Sequence, residues 1–292
     1  FLTGLTGIGN QFKSTIMHYM MLSAAARMGQ TSYCSTYDTE INVQEDRFEQ
    51  LCNYIRDFNG YNLIREGMWE IADKVGQLGG EWFDNVKEYM HEKIKQAKKI
   101  GIELPFIGRD GKLMTVPAFS FLEVDSLSEF VTENVVSMQE AARLGDSKGN
   151  MVSMAQGMQK NRFLMEIPTL SAGSFTYSLM TAHLGDDFVL DPYAPPKKKL
   201  AYLPQGQKLK GVPEKFTFIM NNCWWASNAT PLRNKTTKAP EYPRNSQDDM
   251  SGDTDLCEVT IRQLRGKSGP TGMAIVLVIS QSEGVLPSLS EF

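Results

Sequence analysis

Within the first forty residues an apolar run, a glycine-rich turn, a helical pattern and a second apolar run follow one another without a break. Phe1 to Leu5 reads as a short strand, and the turn "TGIGNQ" follows at once. "STIMHYMMLSAAARMG" then places Ile16, Met20, Met21, Ala24 and Met28 at helical spacing and stops at Gly29. "TSYCSTYDTE" reads as a second strand that closes on Asp38-Thr39-Glu40. Strand, turn, helix, strand is a βαβ unit, and its crossover requires a parallel sheet. The expected class is therefore α/β.

The turn itself carries chemistry. "TGLTGIGNQFKST" (3–15) sets Gly7, Lys13 and Ser14 in the register Gly, four residues, a variable position, Lys, Ser. The variable position holds Phe12, where a phosphate-binding loop ordinarily has glycine. A phosphate cradle needs backbone N–H groups turned inward and a helix N-terminus that adds its positive end. Gly7, Ile8, Gly9, Asn10, Gln11, Phe12, Lys13, Ser14 and Thr15 are thus the candidate nucleotide contacts. Lys13, expected at the surface of a cleft, would reach the β- and γ-phosphates, and the Ser14 hydroxyl would take Mg²⁺. The competing reading is a plain glycine turn with a surface lysine.

Three later features extend the pattern. Glu40, at the end of the second strand, is placed to polarise an attacking water. "PAFSFLEVDSL" (117–127) is a largely apolar run ending in an acid, so Asp125 is the second candidate for holding Mg²⁺. "GSFTYSLMTAH" reads as a strand closing on His183, which could sense the terminal phosphate. Loop, Glu40, Asp125 and His183 fall in series at the carboxyl ends of predicted parallel strands, where open α/β sheets bind ligands. That order points to an ATPase with ATP and Mg²⁺ as its ligands, and Lys13, Glu40 and His183 as catalytic groups.

Elsewhere, residues 44–57 and 66–99 read as helices, "GRDGK" as a hairpin turn, and about 150–167 as a long helix. The stretch 191–215 is proline-rich, with six lysines against Asp191 and Glu214, a formal +4, and reads as a long mobile loop. "FTFIMNNCWW" reads as a strand, 226–255 as a polar excursion, and "LCEVTIRQLRGKSGPTGMAIVLVIS" as two strands joined by a turn. The whole is expected to be one domain over 1–292, with an inserted helical segment at about 55–115.

These residues resemble the RecA/Rad51 superfamily, most closely phage recombinases of the UvsX type, which also tolerate Phe before the loop lysine ("QFKS", 11–14). "YDTE" (37–40), "LEVDS" (122–126) and "TAH" (181–183) are similar to that family's water-activating, metal-supporting and phosphate-sensing strand ends. The resemblance implies a RecA-like core with a mainly parallel, twisted sheet flanked by helices and a C-terminal antiparallel extension. It implies assembly into a filament or ring, with ATP hydrolysed at subunit interfaces. It also implies single-stranded DNA as partner, in recombination or repair, bound through "RLGDSKGNMVSMAQGMQKN" (143–161) and the loop 186–215, with Lys148, Lys208 and Lys210 as phosphate contacts. "RQLRGKSGPTG" (262–272) is also similar to a turn of DnaB-type hexameric helicases, which makes Arg265 and Lys267 candidates for contacts to a neighbouring subunit's nucleotide. The alternatives are a helicase motor, a RecA-fold nucleotide-binding regulator, or a dinucleotide enzyme, the last weakened by the lack of GxGxxG. The 84 residues between Glu40 and Asp125 and the polar excursion exceed the recombinase pattern.

Composition sets the outer limits. A formal charge of −4 excludes a wholly basic nucleic-acid binder while leaving room for local basic loops. Four scattered cysteines without a CxxC pair favour reduced thiols and a cytoplasmic setting, which for a phage protein is the host's. No apolar run reaches the roughly 18 residues a membrane span needs, so no membrane partner is expected. Phe1 begins inside a strand, from which a preceding N-terminal segment is expected.

Overall fold

The computed structural model describes residues 1–28, 33–43, 45–54, 63, 65–142, 148–186, 203, 206–227, 229–239, 256–267, 269–281 and 283–290. The chain opens with β1 (Leu2–Gly7), α1 (Lys13–Met28), β2 (Cys34–Asp38), α2 (Glu45–Tyr54) and β3 (Trp69–Asp73). α3 (Gly79–Ile100), the hairpin β4 (Ile102–Ile107) and β5 (Leu113–Val116), and β6 (Ser120–Asp125) follow. Then come α4 (Glu133–Ala141), α5 (Lys148–Ser174), β7 (Thr176–Asp186), β8 (Gln207–Lys210), α6 (Lys215–Ile219) and β9 (Asn222–Ala226). β10 (Thr230–Pro231), β11 (Leu256–Gly266), β12 (Ala274–Ser280) and β13 (Gly284–Val285) complete the described elements.

The main sheet runs β13-β12-β11-β9-β1-β7-β6-β2-β3, with β8 added to the end of β7 and β10 to β11. From β3 across to β9 every neighbouring pair is parallel. β11, β12 and β13 continue it in antiparallel fashion. The protein is therefore α/β, with a mostly parallel mixed sheet flanked by helices and an antiparallel end.

β1, β2 and β6 are buried along their whole length. Their runs carry small and apolar side chains on both faces, as strands covered on both sides must. Alternation along β6 sends Phe121 to one face and Leu122 and Val124 to the other. The first face packs on Ile16, Met17 and Met21 of α1 and Phe48 and Leu51 of α2. The second packs on Trp82 and Met90 of α3 and Phe163, Leu164 and Ile167 of α5. Each fully buried side chain of this size contributes about 1.5–3 kcal/mol.

Several expectations need correction. Residues 66–99 are not one helix: Trp69–Asp73 pairs in parallel with β2 as the edge strand, and helix begins only at Gly79. Trp69 anchors that strand in the core, and Lys74–Leu78 carries the chain round to α3. The insertion between Glu40 and Asp125 therefore adds a strand to its helix, while the hairpin expected at "GRDGK" is present as β4–β5. "FTFIMNNCWW" is likewise divided, because Lys215–Ile219 is helical and strand starts at Asn222. β7 does not stop at His183 but runs three residues further, where β8 pairs with it. Residues 187–202 of the expected DNA-binding loop 186–215, 143–147 of the expected first DNA loop, and 240–255 of the polar excursion lie outside the described residues. Among the described residues no helix is long and apolar enough to cross a membrane.

Candidate functional site

Parallel strands put their carboxyl ends on one edge, and the registers make that edge specific. Gly7 on β1 stands opposite His183 on β7, and Asp38 on β2 opposite Asp125 on β6. β6 and β7 are neighbours, so β2, β6, β7 and β1 present Asp38, Asp125, His183 and Gly7 as one strip. The loop 8–12 rises from that strip into α1, whose first turn carries no carboxylate to compete with an anion.

The loop's backbone accounts for its sequence. At Gly7 a Cβ would sit 3.2 Å from the Ala226 carbonyl and 3.2 Å from Lys13 Cδ, a tight fit that glycine avoids. Phe12 adopts φ 54°, the left-handed conformation that glycine ordinarily supplies at this position. Its ring packs against the α1-side core, which offsets the strain. Asn10 is also left-handed, at φ 56°. Gln11 ties the loop down: its amide donates to the Gly9 carbonyl at 3.2 Å and its oxygen accepts from the Ala229 N–H.

Lys13 departs from the expected surface position. It is 7% exposed, and its Nζ donates to the Ile8 carbonyl at 2.7 Å. Burial pulls its pKa down, while the charges of Asp125 and Glu40 oppose the shift. The structure thus brings loop lysine, strand-end Glu and strand-end Asp within one electrostatic neighbourhood.

Asp125 is buried beside hydroxyls. Burial pushes its carboxyl up, and hydrogen bonds from Ser14 and Thr181 work against that. Ser14 and Asp125 are hard oxygen donors of the kind Mg²⁺ takes, and such an ion on a nucleotide needs only one or two protein oxygens. Among the described residues no group of three or more His, Cys, Asp or Glu forms a metal cluster of its own. The donor set fits Mg²⁺ carried by phosphates better than a resident ion.

Glu40 is held by its neighbours. Its Oε1 lies 2.6 Å from His183 Nε2, and its Oε2 accepts from Asn42 Nδ2 at 3.3 Å. The His183 hydrogen bond lowers its pKa, more than burial raises it. Behind it, Asp38 accepts four backbone N–H groups: Glu40 and Ile41 on Oδ1, Asn42 and Val43 on Oδ2. That clasp fixes the turn that aims Glu40, and it allows Ile41 its φ of 59°. Thr39 completes the junction, donating to the Ser126 carbonyl at 2.9 Å and accepting the Ser126 N–H at 2.8 Å.

Sequence reasoning does not single out Asp38 and Thr39 as functional positions. Their signal is present in "DTE", since an Asp opening a turn commonly caps the following N–H groups. A second missed group lies deeper. His18 Nδ1 sits 2.8 Å from Glu123 Oε2, and the same oxygen accepts from Thr36 Oγ1 at 2.7 Å. Burial alone would depress the His18 pKa, but the charge and hydrogen bond of Glu123 outweigh it and raise it. Glu123 stands two residues before Asp125 and shares its face of the sheet, so this pair underlies the site.

The expected DNA contacts are placed differently from one another. Lys208 and Lys210 are exposed on β8, a paired strand rather than mobile backbone. Lys148 is the first residue of α5. α5 returns to the amino edge before β7, so its start lies toward the carboxyl edge with β8. Arg265 and Lys267 lie at the opposite edge. Arg265 pairs with Cys223 at the start of β9 and its guanidinium stacks 5.2 Å from the Phe218 ring centre. Lys267 Nζ donates to the Ile219 carbonyl at 3.1 Å. Neither is near the loop of its own chain, so a phosphate contact from them would need a neighbouring copy. No protein-family model matches the chain, and a search of the curated proteins finds no match either.

Proposed function

We propose that the protein is a Mg·ATP hydrolase with a RecA-like core that binds single-stranded DNA, acts in recombination or repair, and hydrolyses ATP between assembled copies. The observation that carries the reading is Phe12 in the left-handed conformation within a loop that opens onto Glu40, Asp125 and His183. Left-handed phenylalanine alone is not distinctive, since Phe175 shares the conformation in a plain turn; what supports the reading is that Phe12 takes it at the motif's glycine position, next to Lys13 and Ser14.

In this reading the loop N–H groups and the first turn of α1 hold the phosphates. Lys13 exchanges the Ile8 carbonyl for phosphate oxygens, and Ser14 and Asp125 support Mg²⁺, which when bound neutralises charge developing on the phosphates. Glu40, kept ionised by His183, orients the attacking water, and His183 bridges that carboxylate to β7. ATP and water give ADP and phosphate. The basic residues of β8 and the start of α5 stand at the same edge, where a DNA backbone would meet them. Arg265 and Lys267, at the far edge, suit contacts to the next copy in a filament or ring.

The test is ATP hydrolysis by the purified protein, with and without single-stranded DNA, across a salt series. Turnover stimulated by single strands, with stimulation fading as salt rises, is expected, because phosphate contacts release counterions. Hydrolysis indifferent to DNA would sink the recombinase and keep the ATPase. Absence of hydrolysis and of nucleotide binding would sink both.

A further inference from the structure

Lys160 is a buried cation that the proposed chemistry does not use. It is 2% exposed, on α5, and its Nζ donates to the Ser128 carbonyl and, at 2.8 Å, to the Gly211 carbonyl. Among the described residues its amino group meets carbonyls rather than a carboxylate, and the charge of Glu129 acts on it at longer range. Burying an ammonium is costly unless it is paired and hydrogen-bonded, so these two carbonyls are what keep Lys160 in place.

What it holds is a junction. Ser128, in the short turn Leu127–Glu129 after β6, uses its hydroxyl twice. Ser128 Oγ accepts the backbone N–H of His183 at 2.9 Å and donates to the Lys210 carbonyl at 2.9 Å. His183 and Lys210 are also direct partners in the β7–β8 ladder. Gly211 crosses Ser128 so closely that a Cβ there would lie 2.9 Å from the Ser128 carbonyl, and its φ is +69°. One serine and one lysine therefore fasten three things to a single point. These are the backbone of His183, whose ring touches Glu40, the end of β8 with its exposed lysines, and α5, which starts at Lys148.

We infer that Ser128 and Lys160 are positioning residues that couple the nucleotide edge to β8, so that a change at Glu40–His183 is transmitted to the strand bearing Lys208 and Lys210. The inference rests on the nucleotide-binding reading above, but not on DNA binding. A ligand can move β8 only if some interaction differs between the two states, and His183 supplies that interaction because its ring and its backbone serve opposite ends of the junction. Without the pin, His183 still meets Glu40 while β8 loses its tie to the turn after β6 and keeps its ladder and the packing of Leu209.

Hydrogen exchange over residues 207–211 tests this, in the presence and absence of Mg²⁺ and a non-hydrolysable ATP analogue. In the wild type, nucleotide should change exchange there by about tenfold, the scale of one hydrogen bond made or broken. Lys160→Met and Ser128→Ala should still bind the analogue within about threefold of wild type yet lose the nucleotide-dependent change at 207–211. A purely structural role would alter exchange with and without nucleotide alike and leave their ratio intact. If either folded variant keeps the wild-type ratio, or if the wild type binds analogue without any response in β8, the coupling is overturned. Failure of the wild type to bind the analogue, read beforehand by filter binding, refutes the nucleotide site itself and the coupling with it. If Lys160→Met does not fold, Ser128→Ala decides alone, since it removes a hydroxyl and leaves the lysine in place.

Discussion

The position of Phe12 can be examined through two substitutions that both remove its ring. A non-glycine residue in the left-handed region carries about 1–2 kcal/mol of strain. Phe12 sits there at φ 54°. Phe12→Ala keeps the Cβ and hence the strain. Phe12→Gly removes it but restores about 0.5–1 kcal/mol of unfolded-chain entropy that folding must overcome. The aromatic packing against the α1-side core is lost from both variants and cancels. Both should be less stable than the wild type, and Phe12→Gly should exceed Phe12→Ala by about 0.5–1 kcal/mol. In right-handed or extended backbone the order would be the reverse. Urea unfolding resolves the difference: with a slope of about 3 kcal/mol/M, the midpoints should differ by about 0.2–0.3 M. An alanine variant as stable as the glycine variant would refute the left-handed assignment, and with it the main support for a phosphate loop here.

Glu40→Gln should lower ATP turnover by about 10²–10⁴-fold while nucleotide affinity holds, since it removes the base and keeps the shape; unchanged turnover would exclude Glu40 as the water-orienting group. Because His183 depresses the Glu40 pKa, the carboxylate persists above its folded value and is lost only as pH falls through it. In His183→Ala that transition should move up toward the ordinary value of about 4.3, measured by carboxyl NMR; an unmoved transition would contradict the pairing. His18 is raised instead, so its contribution to stability is complete below the ordinary value of about 6.5 and fades as pH rises through its folded value. Urea midpoints should accordingly decline on the alkaline side, and Glu123→Gln should flatten that decline. Asp38→Ala strips four N–H groups of their acceptor and should cost about 3 kcal/mol or more; a loss below about 1 kcal/mol would mean the turn holds itself.

Local pattern was enough for the parts of this protein whose information is local. The βαβ start, the buried β6 run and the terminal antiparallel pair each rest on periodicity and turn residues inside one short stretch. So did the order of loop, Glu40, Asp125 and His183, because parallel strands share an edge whatever their neighbours. Trp69–Asp73 was missed because a five-residue strand between helical stretches has no period long enough to announce itself, and only pairing with β2 makes it a strand. β8 escaped for the same reason. Its Gln-Lys-Leu-Lys sequence resembles loop until β7 offers it a ladder.

The lysines separate the two kinds of information most clearly. From sequence, Lys13 is a candidate phosphate contact at the surface of a cleft and Lys160 is not singled out, although it shares helical spacing with Phe163, Leu164 and Ile167. In the folded chain both are buried, and Lys13 faces Asp125 and Glu40 whereas Lys160 holds the backbone carbonyls of Ser128 and Gly211. Arg265 and Lys267, expected from sequence to contact a neighbouring subunit's nucleotide, are carried by the antiparallel run of β11 to the edge away from their own loop. Residue type and spacing determined which chemistry the chain carries, because those depend on neighbours along the chain. Which charges meet, and which are withdrawn from water, was decided by the tertiary packing of strands and helices, because the partners come from separate elements, 32 and 51 residues from Lys160 and 143 apart for Glu40 and His183.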